Sequence, residues 1–293
     1  MSGTLNDKTS LTPRGTRQPR DPTTPRCHVC LMHPHTHSLL VVPCVLTLRL
    51  LSFTSSGDGL KQASATGEFI ASKACPTLII SSPYLRCIQT AGRIAAAAIS
   101  RREQLLHEDN DIPHVEFVVD PSLSEWCNPR TYGTLTPGPL APYDEVLKNN
   151  PELTFLKPYT FGYMSAPIQS AMPRWVEDVM ALHSRCQRVV SWVSDPHNGL
   201  VRRHGSIVLV THGFSVVMLG AILDATVPWH NMPSPYCCLT HMTTERRFCS
   251  CCPSPLQDQF LRTHHEIRSV WKTVLACSTE HLKATSSDDS ASS

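Results

Sequence analysis

Two short, almost wholly apolar runs, each leading into a helical segment, constrain the fold of this chain most. Residues 77–81 and 206–210 are rich in Leu, Ile and Val and are too short for buried helices. Helical patterns follow them at residues 87–100, which are alanine-rich, and 214–223. Strands without apolar–polar alternation are buried on both faces, so this order predicts an α/β domain with a parallel sheet between helical layers.

Six further segments extend this pattern. Residues 59–75 and 175–193 have apolar side chains at helical spacing, and residues 115–119 are a strand candidate. The run 39–43 is a candidate first strand, and residues 235–239 and 271–277 are candidate late strands.

Composition divides the chain into three parts. Residues 1–37 are rich in Pro, Arg and His and are predicted to be disordered, as is the Ser/Asp-rich tail at 284–293. Residues 38–283 form the predicted domain, because 41% hydrophobic residues supply a sizeable core. Within it, residues 127–170 are Pro/Gly-rich and are predicted to be an insertion over the active-site edge of the sheet.

Charge and apolar runs exclude several classes of function. A net charge of +2 gives no electrostatic footprint for nucleic acid. Pro43 and Arg49 interrupt the longest apolar run, residues 38–53, which is shorter than the roughly 20 residues of a membrane span. The 13 cysteines are scattered and odd in number, so we expect reduced thiols and a cytoplasmic protein.

Arg86 and His212 follow the two clearest strands. Pro83 ends the first run, and Arg86 then lies in the first turn of the next helix. His212 follows the second run directly and precedes Gly213. The carboxyl ends of parallel strands share one edge, where α/β sheets bind ligands, and a guanidinium beside helix N-terminal amides suits phosphate.

Glu125 adds a carboxylate at the same edge, shortly after the strand candidate at 115–119. Asp120 and Glu116 are alternatives for its role. Arg, His and Glu around one anion site suit phosphoryl transfer, in which Arg holds the phosphoryl oxygens and Glu or His moves a proton.

The string Ser81-Ser82-Pro83-Tyr84-Leu85-Arg86-Cys87-Ile88-Gln89-Thr90-Ala91 resembles the histidine phosphatase (phosphoglycerate mutase-like) superfamily. It is most similar to the eukaryotic branch that includes the Sts-type tyrosine phosphatase domains. Three further segments agree in order across residues 57–242: Leu60-Lys61-Gln62-Ala63 with Gly67, Leu123-Ser124-Glu125-Trp126, and Thr211-His212-Gly213.

The resemblance implies a three-layer α/β/α sandwich with a mostly parallel central sheet. It also implies a two-step phosphoryl transfer through a phosphohistidine that needs no metal or other cofactor. The phosphate-binding arginine of the superfamily corresponds to Arg86, its proton-donor acid to Glu125 and its second histidine to His212.

One part of the resemblance is missing. The superfamily's nucleophile is the His of an Arg-His-Gly on the first strand, which should precede Gly57, and no such segment occurs there. Either the chain is a pseudoenzyme, or its first fifty residues come from an incorrect gene model. The second explanation is favoured, because the composition changes abruptly near Phe53.

Two other segments invite functional interpretations. Arg203-His204-Gly205 precedes the strand at 206–210, so we expect it roughly 17 Å from the site and interpret it as a turn. Cys27 and Cys30, with the nearby histidines up to His37, resemble half of a zinc site, but the spacing is wrong for a zinc finger.

The sequence therefore predicts a phosphomonoester hydrolase acting on a phosphorylated small molecule or phosphoprotein. The alternative is a catalytically dead module that binds a phosphate ligand or a protein. A metal-binding interaction protein built on the Cys/His tract is a third, weaker hypothesis. We expect a phosphatase in preference to a mutase.

Overall fold

The computed structural model describes residues 32–43, 57–105, 115–129, 148, 161–163, 168–195, 205–249 and 271–283. Its strands are β1 Met32–Pro43, β2 Leu78–Ser81, β3 Glu116–Val119, β4 Phe161–Tyr163, β5 Ser206–Thr211, β6 Leu239–Cys249 and β7 Lys272–Ser278. Its α-helices are α1 Gly57–Lys73, α2 Leu85–Leu105, α3 Val179–Ser194, α4 Gly213–Leu223 and α5 Glu280–Lys283. Two 3₁₀ turns are η1 Pro121–Leu123 and η2 Trp229–Asn231.

The seven described strands form one sheet in the order β4-β3-β2-β5-β1-β6-β7. The first five strands in that order are mutually parallel, as their registers show. Strand β6 is antiparallel to β1, and β7 is antiparallel to β6. Strands β2 and β5 therefore lie side by side, with their carboxyl ends at the same edge.

Helices cover both faces of the sheet. Alternate residues of β1 and β5 point to opposite faces, as strand geometry requires. Leu40, Val42, Val208 and Val210 pack with buried residues of α1 and α2. Leu39, Val41, Ile207 and Leu209 pack with buried residues of α3 and α4. The predicted three-layer α/β/α sandwich with a mostly parallel sheet is confirmed.

Most predicted elements are present. Strands are confirmed within or around residues 77–81, 115–119, 206–210 and 271–277, and each predicted helix overlaps a helix of the structure. The run at 39–43 belongs to β1, between β5 and β6. No helix in the described parts of the chain is long and apolar enough to span a membrane.

Two strand boundaries differ from the prediction. Strand β1 begins at Met32, seven residues before the predicted strand start at Leu39, because its backbone pairs with β6 from Met32 onward. The predicted strand at 235–239 is wrong. Cys237 has a φ of 53°, and the Cys238 amide donates to the Pro235 carbonyl, so this segment turns and the strand begins only at Leu239.

The predicted insertion at 127–170 contributes one edge strand. Its residues Phe161–Tyr163 form β4, which pairs with β3 and is too short to be recognised from its pattern. Most of this segment, like residues 1–31 and 284–293, lies outside the described residues.

Helices α1 and α2 approach each other closely at Gly67. A Cβ placed on Gly67 would lie 2.9 Å from the Arg93 carbonyl oxygen and 3.0 Å from the Ile94 Cα. Both are backbone atoms of α2, so the two helices must separate to admit a side chain. A Cβ placed on Gly57 would have no atom within 4 Å.

We therefore expect Gly67→Val to lower the free energy of unfolding by about 1–3 kcal/mol through overpacking. Gly57→Val is the control, and its effect should stay within about 0.5 kcal/mol. Urea unfolding of the three proteins measures the difference. Equal effects of the two substitutions would contradict the close helix approach.

Candidate active site

Arg86 is placed by the tight connection between β2 and α2. Strand β2 ends at Ser81, and α2 begins at Leu85, so Arg86 lies in the first helical turn. The side chain is almost fully buried, at 2% exposure. Its Cζ lies 4.9 Å from the centre of the Tyr84 ring, a distance that gives a favourable cation–π contact.

His212 follows β5 and occupies the N-cap position of α4. Its backbone carbonyl accepts a hydrogen bond from the Val216 amide. The ring is buried and meets the Tyr84 ring edge-on at 5.1 Å. On the β2 side, the Ser82 Oγ lies 2.8 Å from His212 Nε2.

Glu125 lies in the short segment after η1, and its side chain is 9% exposed. The two alternatives for its role lie elsewhere. Asp120 accepts hydrogen bonds from the Ser122 and Ile168 backbone amides, which shape the loop. Glu116 is the first residue of β3, at the opposite end of that strand from the loop.

The structure brings the three predicted residues together. Glu125 Oε2 lies 3.2 Å from His212 Nδ1 and 3.7 Å from Arg86 Nη2. Arg86 Nη2 lies 3.0 Å from His212 Nδ1. A proton on Nδ1 lets the imidazole donate to Glu125, and the Ser82 hydroxyl, which can donate or accept, pairs with Nε2 in either protonation state of the ring.

The charges of this cluster favour an ionised Glu125. Burial raises the pKa of its carboxyl group. The attraction and hydrogen bond of His212 and the charge of Arg86 together lower this pKa by more than burial raises it. The net result is a pKa below the ordinary value of 4.5. In this resting arrangement Glu125 is a carboxylate that neutralises the guanidinium, and a proton must reach it before it acts as an acid.

Several residues of the site were missed by the sequence interpretation. Ser82, Tyr84 and Cys87 surround the His212 ring, and Cys87 Sγ lies 3.5 Å from its Nε2. All three lie in the string that carries the family resemblance. Their closeness to Arg86 in the sequence could therefore have indicated that they belong to the site. Arg185 and Glu177, which hold the Glu125 loop, lie in no recognisable pattern.

Within the described parts of the chain, the site contains one histidine side chain. Of the histidines whose side chains are described, only His212 contacts Arg86 or Glu125. Gly205 immediately precedes β5 and its carbonyl accepts from the Ser38 amide, so it lies at the opposite end of the strand from His212. Arg203 and His204 lie outside the described residues, as do Cys27 and Cys30 of the zinc hypothesis.

The fold has known counterparts among solved structures. Ecdysone phosphate phosphatase from Bombyx mori superposes with a TM-score of 0.50 at 14% identity, covering 82% of this chain and 93% of that one. Mycobacterial glucosyl-3-phosphoglycerate phosphatase superposes with a TM-score of 0.44 at 16% identity, covering 83% of this chain and 100% of that one. Phosphoglycerate mutase from Bacillus anthracis superposes with a TM-score of 0.44 at 15% identity, covering 74% of this chain and 93% of that one.

No protein-family model matches the chain, and no curated protein matches it in sequence. The superposition on the insect phosphatase therefore defines the fold alone. The chain has the same fold as the Bombyx mori phosphatase.

The lowered pKa of Glu125 predicts an acid-dependent loss of stability. A carboxyl group with a lower pKa in the folded state stabilises the protein above its unfolded pKa, and this contribution disappears as the pH falls through the folded pKa. We therefore expect Glu125→Gln to flatten the decline in unfolding free energy as the pH falls from neutrality to below 4.5.

Glu103→Gln, at an exposed position of α2, is the control and should leave the wild-type pH profile unchanged. Urea titrations at a series of pH values measure both variants. Parallel profiles for wild type and Glu125→Gln would show that this carboxylate does not interact with His212 and Arg86 as described.

Proposed function

We propose that this chain is a phosphomonoester hydrolase of the histidine phosphatase type, with its phosphate site built on Arg86, Glu125 and His212. The observation that supports it best is the convergence of these three buried side chains within 3.7 Å. Each follows a separate strand, and they meet at the edge where parallel α/β sheets bind ligands.

Arg86 has the chemistry to bind the phosphoryl group. Its guanidinium offers several donors in a plane that matches phosphate oxygens, and it lies in the first turn of α2, at the positive end of the helix dipole. A bound phosphate dianion would take the place of the Glu125 carboxylate as the counter-charge of Arg86. This exchange of anions is the central event of the proposed binding step.

Glu125 is then the proposed proton donor. A dianion beside the carboxylate favours its neutral form, so substrate binding would raise the pKa of Glu125 and load it with a proton. As the phosphoryl group passes to the nucleophilic imidazole of the two-step route, its P–O ester bond breaks, and the protonated acid would pass its proton to the leaving oxygen. Water would then hydrolyse the phosphohistidine and release phosphate. His212, within hydrogen-bond distance of Glu125, would hold the developing charge on the phosphoryl group.

A second candidate function is phosphate-ligand binding without turnover. It is favoured by one observation of the sequence: no Arg-His-Gly precedes Gly57, whereas the two-step route needs a second imidazole as nucleophile. Both candidates require the same Arg86 anion site and differ only in chemistry.

The compartment and substrate class belong to the same proposal. The seven cysteines whose thiols are described are all free, which supports a reducing, cytoplasmic environment. The substrate is proposed to be a phosphorylated small molecule or phosphoprotein, and the Sts-type branch is the proposed place of the chain within the superfamily. The segment 127–170 is proposed to cover the site and select the substrate.

The test is hydrolysis of p-nitrophenyl phosphate without added metal, together with calorimetric binding of tungstate, a phosphate-like dianion. Wild type is compared with Arg86→Ala, His212→Ala and Arg188→Ala, the last being an exposed arginine of α3. We expect Arg86→Ala to abolish tungstate binding and Arg188→Ala to bind as wild type.

The outcomes separate the two candidates. Hydrolysis that is lost in both Arg86→Ala and His212→Ala supports the phosphatase and directs the search for the nucleophile to His204 and the N-terminal histidines 28, 33, 35 and 37. Tungstate binding without hydrolysis supports the inactive binding module. Wild-type protein that neither hydrolyses the ester nor binds tungstate would overturn both.

A further inference from the structure

A buried ion pair lies beneath the loop that carries Glu125. Arg185 of α3 is 1% exposed, and Glu177, just before that helix, is 5% exposed. The two are joined by a bidentate contact, with Arg185 Nε 2.9 Å from Oε1 and Nη2 2.7 Å from Oε2 of Glu177. Neither residue touches Arg86 or His212 in the hydrogen bonds that the structure gives them.

The remaining guanidinium donors of Arg185 all go to this loop. Nη1 donates to the carbonyl oxygens of Ser122 at 2.8 Å and Ser124 at 2.7 Å. Nη2 donates to the carbonyl of Glu125 itself at 3.3 Å. One planar side chain therefore fixes three carbonyls around Glu125, which a lysine ammonium has no geometry to do.

Glu177 holds the other end of the same loop. Its carboxylate accepts from the Cys127 amide at 3.3 Å, and its carbonyl accepts from Trp126 Nε1 at 2.9 Å. The Glu177 amide donates to the Cys127 carbonyl at 2.6 Å. Arg185 and Glu177 thus contact the loop on both sides of Glu125.

Stability alone is a poor explanation for this pair. Replacing a buried ion pair by apolar residues of similar size is often neutral, because burying two charges costs as much as their attraction returns. An apolar pair has no donors for the three carbonyls. What the ion pair supplies in particular is a fixed backbone position for Glu125, whose carboxylate must lie within about 4 Å of its partners to interact with them.

We propose that Arg185 and Glu177 are positioning residues of the phosphate site, which hold the Glu125 carboxyl against Arg86 and His212 so that binding of a phosphate dianion is coupled to protonation of Glu125. This inference rests on the function proposed above. It predicts that anion binding takes up a proton from solution, and that the uptake depends on two residues that never touch the anion.

Few groups other than Glu125 can take up a proton when the anion binds. Among the residues that the structure describes, the titratable groups that face Glu125 are Arg86 from α2, His212 from the end of β5, and the neighbouring Cys127 thiol. Burial raises the pKa of that thiol above its ordinary value, so it stays protonated and supplies no charge at neutral pH. Tungstate keeps its charge near neutral pH, so the proton taken up is not one bound by the probe.

The experiment is calorimetric titration of tungstate at neutral pH in buffers of different ionisation enthalpy, which gives the protons taken up per anion bound. We expect uptake of up to about one proton for wild type and none for Glu125→Gln. The double variant Arg185→Met with Glu177→Leu removes the ion pair without leaving an unpaired buried charge. We expect it to bind tungstate with little or no proton uptake.

Arg188, on the same helix, donates to the Gln169 side chain, and Arg188→Met is the matched control. It should keep the wild-type proton uptake. Arg185→Lys keeps the charge beside Glu177 but not the planar set of donors, and we expect it also to lose uptake. If circular dichroism shows that the double variant is unfolded, the proton uptake of Arg185→Lys tests the proposal instead.

The possible results are distinct. Loss of proton uptake in folded Arg185 variants that still bind tungstate supports the proposal. Wild-type uptake in those variants would assign the ion pair a purely structural role and overturn it, while leaving the phosphate site intact. Absence of tungstate binding in wild type would overturn the proposed function and this inference together.

Discussion

The parallel pairing of β2 with β5 is the constraint on which the site depends. Ile80 lies opposite Leu209 and Ser81 opposite Val210, and the Ser82 amide then donates to the Val210 carbonyl at 2.8 Å. This register ends both strands at the same level. Arg86 and His212 follow these ends within a few residues, so their side chains meet without any long-range loop to bring them together.

Charge burial is the second constraint, and it explains why the site is held so tightly. Arg86, His212 and Glu125 are all nearly inaccessible to solvent, and an unpaired buried charge is strongly unfavourable. Each ionised group therefore needs a partner at a fixed place. The β2–β5 register places two of them, whereas Glu125 arrives on a loop and depends on the Arg185–Glu177 pair beneath it.

The parts of this arrangement that the sequence predicts are those encoded by local patterns. Continuous apolar runs predicted the central strands, and the resemblance carried by the string around Arg86 predicted the three-layer fold. Arg185 and Glu177 were missed because their importance arises from contacts with a loop some 50–60 residues earlier, which no local pattern encodes. The turn at Cys237 was missed because apolar side chains there favoured a strand, although the backbone has a positive φ.

Binding of a phosphate-like dianion between Arg86, Glu125 and His212 is best tested by a crystal structure of this chain grown with tungstate. We expect tungstate within hydrogen-bond distance of the Arg86 guanidinium and the His212 ring, with the Glu125 carboxyl displaced from Arg86. Tungstate bound only elsewhere, with Glu125 still 3.7 Å from Arg86, would contradict it.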